Sequence, residues 1–182
     1  DAEGNHLWNQ TYGGADWDRA LSLQQTSDGG YIIAGYTKSF GVGNDDFWLI
    51  KTDASGNMEW NKTYGGPESD LPLSVDLTID GGYVVAGRTY SFGAGYGDFW
   101  LVKIDSLGNM HWNKTYGEVG WEGAESVQQT KDGGYIIAGS TDSFGAGYED
   151  VWLVKTDAGG NMEWNKTYGG ADYDGAYSVQ QT

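Results

Sequence analysis

Tyr31-Ile32-Ile33-Ala34-Gly35-Tyr36-Thr37, then after a glycine loop Phe47-Trp48-Leu49-Ile50-Lys51-Thr52, then after Asp53-Ala54-Ser55-Gly56-Asn57 the run Met58-Glu59-Trp60-Asn61-Lys62-Thr63-Tyr64: these 34 residues decide the fold. Three short runs rich in β-branched and aromatic residues, each bounded by glycine, aspartate or asparagine, read as strands joined by tight turns. Upstream, residues 19–26 alternate apolar and polar and meet the first run through Ser27-Asp28-Gly29-Gly30. The unit therefore holds four strands, A (19–26), B (31–37), C (47–52) and D (58–64), linked by successive hairpins whose Asp-Gly-Gly and Gly-Asn turns supply positive φ. Strands B and C are almost continuously apolar, as strands covered on both faces require, whereas D alternates and carries one wet face.

The unit recurs. Trp-Asn-(Lys/Gln)-Thr-Tyr-Gly begins at Trp8, Trp60, Trp112 and Trp164, and Asp-Gly-Gly-Tyr begins at Asp28, Asp80 and Asp132, 52 residues apart each time. The 182 residues hold about 3.5 such units without insertion or deletion. A four-stranded repeat of this length fits a β-propeller blade, typically ~40–50 residues. A β-solenoid competes less well, because its coils are shorter and lack a hairpin at every strand end. The expectation is all-β: four-stranded antiparallel blades, stacked so that each covers the apolar face of the next. One repeat region spans 1–182, with strand D of a partial blade in 1–14, full units at 15–66, 67–118 and 119–170, and strand A of a partial blade in 171–182. Blades that begin with D and end with A imply self-association or a longer parent chain, since open β edges rarely stay unpaired.

The repeat Asp-Gly-Gly-Tyr-Ile-Ile-Ala-Gly, Phe-Trp-Leu-Ile-Lys-Thr-Asp, Gly-Asn-Met-Glu-Trp-Asn-Lys-Thr-Tyr-Gly-Gly resembles the blades of bacterial and archaeal cell-surface β-propeller proteins, including repeats of the seven-bladed type. The resemblance covers the whole chain. It implies a propeller fold and an exported, extracellular location; it implies no catalytic residue, because that family shares none.

Composition narrows the function. A net charge of −16, from 26 acids and 10 bases, opposes docking on nucleic acid or anionic lipid and favours solubility. With no cysteine, disulfides and thiolate chemistry are excluded, and no apolar run is long enough to span a membrane as a helix. His6 and His111 occupy non-equivalent positions, and no nucleophile–base set is apparent.

Four kinds of site stand out. Asn-x-Thr recurs at Asn9, Asn61, Asn113 and Asn165 on the polar face of strand D, where an N-glycan acceptor would be accessible. An acid precedes each strand A (Asp18, Asp70, Glu122, Asp174); as a ring at one channel mouth these would hold a ligand or cation, and as turn caps they would bond backbone amides. Their neighbours Trp17, Trp121 and Tyr173, with Ser69 in the second unit, are either aromatic walls for a sugar or packing between blades. The turns at Asp1–Asn5, Asp53–Asn57, Asp105–Asn109 and Asp157–Asn161 lack the carboxylates of a calcium loop and read as Asp-capped turns. No cofactor is expected, calcium being the single ion left open. The leading expectation is a non-catalytic extracellular structural or adhesive module whose partners are copies of itself or further repeats. A lectin-like module binding glycans at one site per blade is the alternative, and a hydrolase on a propeller scaffold the third.

Overall fold

In a computed structural model that describes residues 3–182, twelve strands form three four-stranded antiparallel sheets, and no helix occurs among the described residues. The first sheet is β1 (Asp18–Gln25), β2 (Tyr31–Thr37), β3 (Asp46–Thr52) and β4 (Met58–Tyr64), in that spatial order. β5 (Asp70–Leu77), β6 (Tyr83–Thr89), β7 (Asp98–Ile104) and β8 (Met110–Tyr116) repeat it, and β9 (Glu122–Gln129), β10 (Tyr135–Thr141), β11 (Asp150–Thr156) and β12 (Met162–Tyr168) repeat it again. Every strand falls within a residue of its sequence reading, because turn residues and apolar runs mark both ends.

The sheets are propeller blades. The A-type strands touch one another, β1 against β5 and β5 against β9, and β2 and β6 lean on the A strand of the following blade. Those inner contacts place A nearest the common axis and D at the rim. Three blades make an open arc, not a closed ring.

Two apolar layers hold the arc together. Ile32, Ala34, Phe47, Leu49 and Tyr64 of the first blade meet Val75, Tyr83, Val85, Trp100 and Val102 of the second. Val84, Ala86, Phe99, Leu101 and Tyr116 meet Val127, Tyr135, Ile137, Trp152 and Val154 in the same way. Phe47 stands edge-on to Trp100 at 4.5 Å between ring centroids, and Phe99 packs tilted against Trp152 at 4.7 Å. Burying a side chain such as Phe47 or Leu49 contributes about 1.5–3 kcal/mol, so the layers, and not any single sheet, carry the stability. Strands β3 and β7 are buried at every residue, as their continuous hydrophobicity requires.

The Asp-Gly-Gly turn shows how tightly the blade is drawn. Gly29 has φ 86°, which a side chain rarely adopts, and a β-carbon on Gly30 would lie 2.0 Å from the Thr52 carbonyl oxygen. Asp28 accepts from the Thr26 hydroxyl (2.5 Å) and the Gly30 N–H (2.9 Å), and takes the ammonium of buried Lys51 at 2.8 Å. Lys103–Asp80 and Lys155–Asp132 repeat the ion pair. The apolar strand C can bury its lysine because a carboxylate and the carbonyl of the next residue receive it.

The segments read as the outer D strand (His6–Tyr12) and the final A strand (Gly175–Thr182) pair with no strand. They nevertheless occupy those blade positions. The Tyr12 hydroxyl donates to the Gly56 carbonyl as Tyr64 does to Gly108 and Tyr116 to Gly160. The Val179 N–H donates to Ser126 Oγ as Val75 does to Ser22 and Val127 to Ser74, all at 3.2 Å. What they lack is the adjoining B or C strand that would complete a ladder. Asp1, in the first Asp-x-x-Gly-Asn turn, lies outside the described residues.

Candidate functional site

Chemistry-bearing side chains gather where one blade meets the next. The N–H of the acid that opens each A strand donates across the junction, Asp70 to the Asp45 carbonyl (2.6 Å), Glu122 to Gly97 (2.7 Å) and Asp174 to Glu149 (2.8 Å). Their carboxylates turn inward. Asp70 accepts from Thr89, from Ser91 Oγ (2.8 Å) and from the Gly66 N–H (2.8 Å); Glu122 accepts from Thr141 Oγ1 (2.8 Å) and the Glu118 N–H (3.1 Å). Asp18 receives Thr37, Ser39 and the Gly14 N–H, and Asp174 the Gly170 N–H. Burial would raise the Asp18 carboxyl, but these hydrogen bonds overcome it and hold the group below the usual carboxylate range. Asp70 and Glu122 are fully buried, so these two stand inside the junctions and not in an open ring at a channel mouth, while Asp18 and Asp174, at the two ends of the arc, are half-buried. The donors drawn from the threonine and serine of the same blade are the physical reason.

A second series of acids opens strand C. Asp46 Oδ2 accepts the N–H groups of Val42 (2.9 Å) and Gly43 (3.1 Å), Asp98 those of Ala94 and Gly95, and Asp150 that of Ala146. Each fixes the glycine loop between B and C. Burial pushes the Asp98 carboxyl up. Sequence reading passed over this series, although an acid stands before the Phe-Trp or Val-Trp pair in every full unit.

The aromatic positions differ among junctions. Trp17 is exposed and lines a groove of about 440 Å³ with Arg19, Tyr36, Leu71 and Arg88. Trp121 is half-buried, donates its indole N–H to the Tyr90 hydroxyl at 3.1 Å, and lies under the Arg88 guanidinium, 5.6 Å from the ring. Tyr173 stacks on Tyr148 at 5.0 Å and 12° and closes a pocket of about 240 Å³ with Trp121, Glu125 and Glu149. Burial pushes the Glu125 carboxyl up, Arg88 pulls against it, and Glu149 adds to the rise. Ser69, in the second unit, donates to Asp45 Oδ2 (2.9 Å). Arg88 stands out in the sequence as a departure from the repeat, its sister positions holding Tyr36 and Ser140, but the sequence assigns it no contact with Trp121.

At the other end of the junction, a groove of about 760 Å³ runs between the Lys51–Asp28–Glu59 cluster, Trp60 and Tyr83. The Lys51 ammonium there is paired with Asp28 and Glu59, and the Thr26 hydroxyl is held by Asp28 within the turn. Among the described residues, no three or more His, Cys, Asp or Glu side chains form a metal cluster.

The sequon asparagines are exposed on strand D, and all but Asn9 also have a structural task. Asn61, Asn113 and Asn165 accept the indole N–H of buried Trp48, Trp100 and Trp152, each at 3.2 Å.

The chain matches no protein-family model and no curated protein. Among solved structures it is similar to a protein of unknown function from Bacteroides caccae, determined at 1.35 Å resolution, with 12% identity and a TM-score of 0.49, covering 91% of this chain and 72% of that one.

Proposed function

We propose that this chain is an exported, non-catalytic propeller module that acts as a structural or adhesive surface by stacking blade on blade with copies of itself. One observation carries the reading. Leu23 on the outer face of the first blade is 61% exposed, whereas its counterparts Val75 and Val127 are 1% and 5% exposed beneath a neighbouring blade. At the opposite end Tyr168 is 53% exposed, whereas Tyr64 and Tyr116 are buried with their hydroxyls bonded to the next blade. The two end faces are copies of surfaces that already mate inside the chain, so a second copy, or a further repeat of a longer chain, offers each the partner it matches. Such contacts are head-to-tail and heterologous, and they propagate to a ring or a filament. The likeness of the repeats to cell-surface propellers supports the exported location, and the charge of −16 suits an exposed, soluble array.

Solution mass tests this. Oligomers that grow with protein concentration and with salt, which screens repulsion between acidic copies, are expected, and Leu23→Lys should return the population to monomers. A wild-type chain that stays monomeric at high concentration and high salt overturns the proposal.

A lectin-like reading is the second, favoured by the Trp121–Tyr90 pair beneath Arg88 and the stacked Tyr148–Tyr173 pair. Flat aromatic faces beside polar groups suit sugar rings. Glycan binding that disappears in Trp121→Ala while oligomers persist would favour it.

A further inference from the structure

The acids of the two series converge in pairs. A β-carbon built on Gly65, the first glycine after strand D, would lie 1.9 Å from Asp46 Oδ1 and 2.9 Å from Asp70 Oδ2. At Gly117 the same point is 2.3 Å from both Asp98 Oδ1 and Glu122 Oε2, and at Gly169 it is 1.9 Å from Asp150 Oδ1 and 2.8 Å from Asp174 Oδ2. Only glycine leaves this space. Two carboxylates from different blades thus face each other across every junction, and the third unit keeps the charge while exchanging aspartate for the longer glutamate.

Asp46 is 1% exposed, and its Oδ1, the oxygen aimed into this space, has no hydrogen-bond partner. A buried, unpartnered carboxylate oxygen beside a second carboxylate is costly unless a positive charge joins them. Asp46 Oδ2 is committed to the Val42 and Gly43 N–H groups, whereas Asp70 Oδ2, which faces the same space, already accepts from the Gly66 N–H and Ser91 Oγ. The lysine of each blade does not serve here: Lys51 lies five residues along β3, roughly 16 Å away, paired with Asp28 and Glu59.

The geometry points to a hard divalent cation, calcium by ligand type, held between Asp46 and Asp70, with equivalent sites between Asp98 and Glu122 and between Asp150 and Asp174. Two carboxylates per site leave the remaining positions to carbonyl, hydroxyl or water oxygens, a mixture that calcium accepts more readily than magnesium. Each ion would tie the strand C opening of one blade to the strand A opening of the next. The ion is thereby a fastener between blades, and the assignment does not depend on the self-association proposed above.

Calorimetric titration of the EDTA-stripped chain with calcium chloride, paired with thermal melts, tests this. Saturable calcium binding is expected, with a midpoint raised by roughly 5–10 °C per occupied site at a hundredfold excess over the dissociation constant, and a smaller response to magnesium. Asp46→Asn should remove one site and that share of the shift. Asp150→Asn serves if the first variant fails to fold, because its partner Asp174 lies in the exposed terminal segment. No heat and no shift with calcium, together with a higher midpoint for Asp46→Asn in EDTA, would show a pair sharing a proton and overturn the assignment. A full shift given by sodium alone would overturn the choice of a divalent ion.

Discussion

Asn113 offers the cleanest separation between a glycan acceptor and a structural hydrogen-bond partner. Its Oδ1 accepts the indole N–H of Trp100 at 3.2 Å, and Trp100 is buried in the layer between the first and second blades. Asn113→Ala removes the acceptor and leaves a buried donor unsatisfied, which costs about 1–3 kcal/mol. The bond is long for its kind, so the lower half of that range applies, and a chain of this size should melt roughly 2–8 °C lower. Asn113→Asp keeps an oxygen in place while abolishing the sequon, and should melt close to wild type. Thr115→Val abolishes the sequon too and leaves the indole bonded. Chemical denaturation and thermal scans of unglycosylated protein, followed by tryptophan fluorescence, would rank the three. Equal stability for the Ala and Asp variants would refute the claim that Asn113 serves the core.

Other outcomes follow from the same contacts. Tyr116→Phe should cost about 1–2 kcal/mol in denaturant unfolding, because the Gly160 carbonyl loses its donor at a buried junction. Gly30→Ala should lower the melting midpoint more than Gly170→Ala, since a β-carbon at 30 collides with the Thr52 backbone and one at 170 meets nothing within 4 Å. Acid should weaken the fold in a defined window. The Lys51 and Thr26 hydrogen bonds hold the Asp28 carboxyl well below its ordinary range, and Thr78, Lys103 and the Gly82 N–H, outweighing burial, bring Asp80 to about 2. Depressed carboxyls stabilise fully above their unfolded pKa near 4, and that stability drains away as pH falls toward 2. Solvent exposure of Asp80 keeps its share small, and Lys103→Met should flatten the loss, as read from denaturation midpoints against pH.

Much was legible because each blade is built from local signals. Period-two alternation, Asp-Gly-Gly and Gly-Asn turns, and the 52-residue repeat located all twelve strands, since hairpin neighbours are also neighbours in sequence. The candidate site was less legible. Asp46 and Asp70 stand 24 residues apart on different blades, and nothing local to either announces that their oxygens share the space beside Gly65. Arg88 and Trp121, 33 residues apart, meet for the same reason.

By itself, the sequence determined the blade: strand order, turn chemistry, the apolar faces that forbid a lone sheet, and the acidic, cysteine-free character of the chain. The tertiary structure alone decided how blades face one another. That arrangement turned a supposed ring of acids into paired carboxylates within junctions, assigned the sequon asparagines to buried indoles, and left Leu23 and Tyr168 uncovered at opposite ends. Hairpin pairing is fixed by short-range backbone geometry, whereas contacts between blades depend on the summed packing of whole faces, which no single segment encodes.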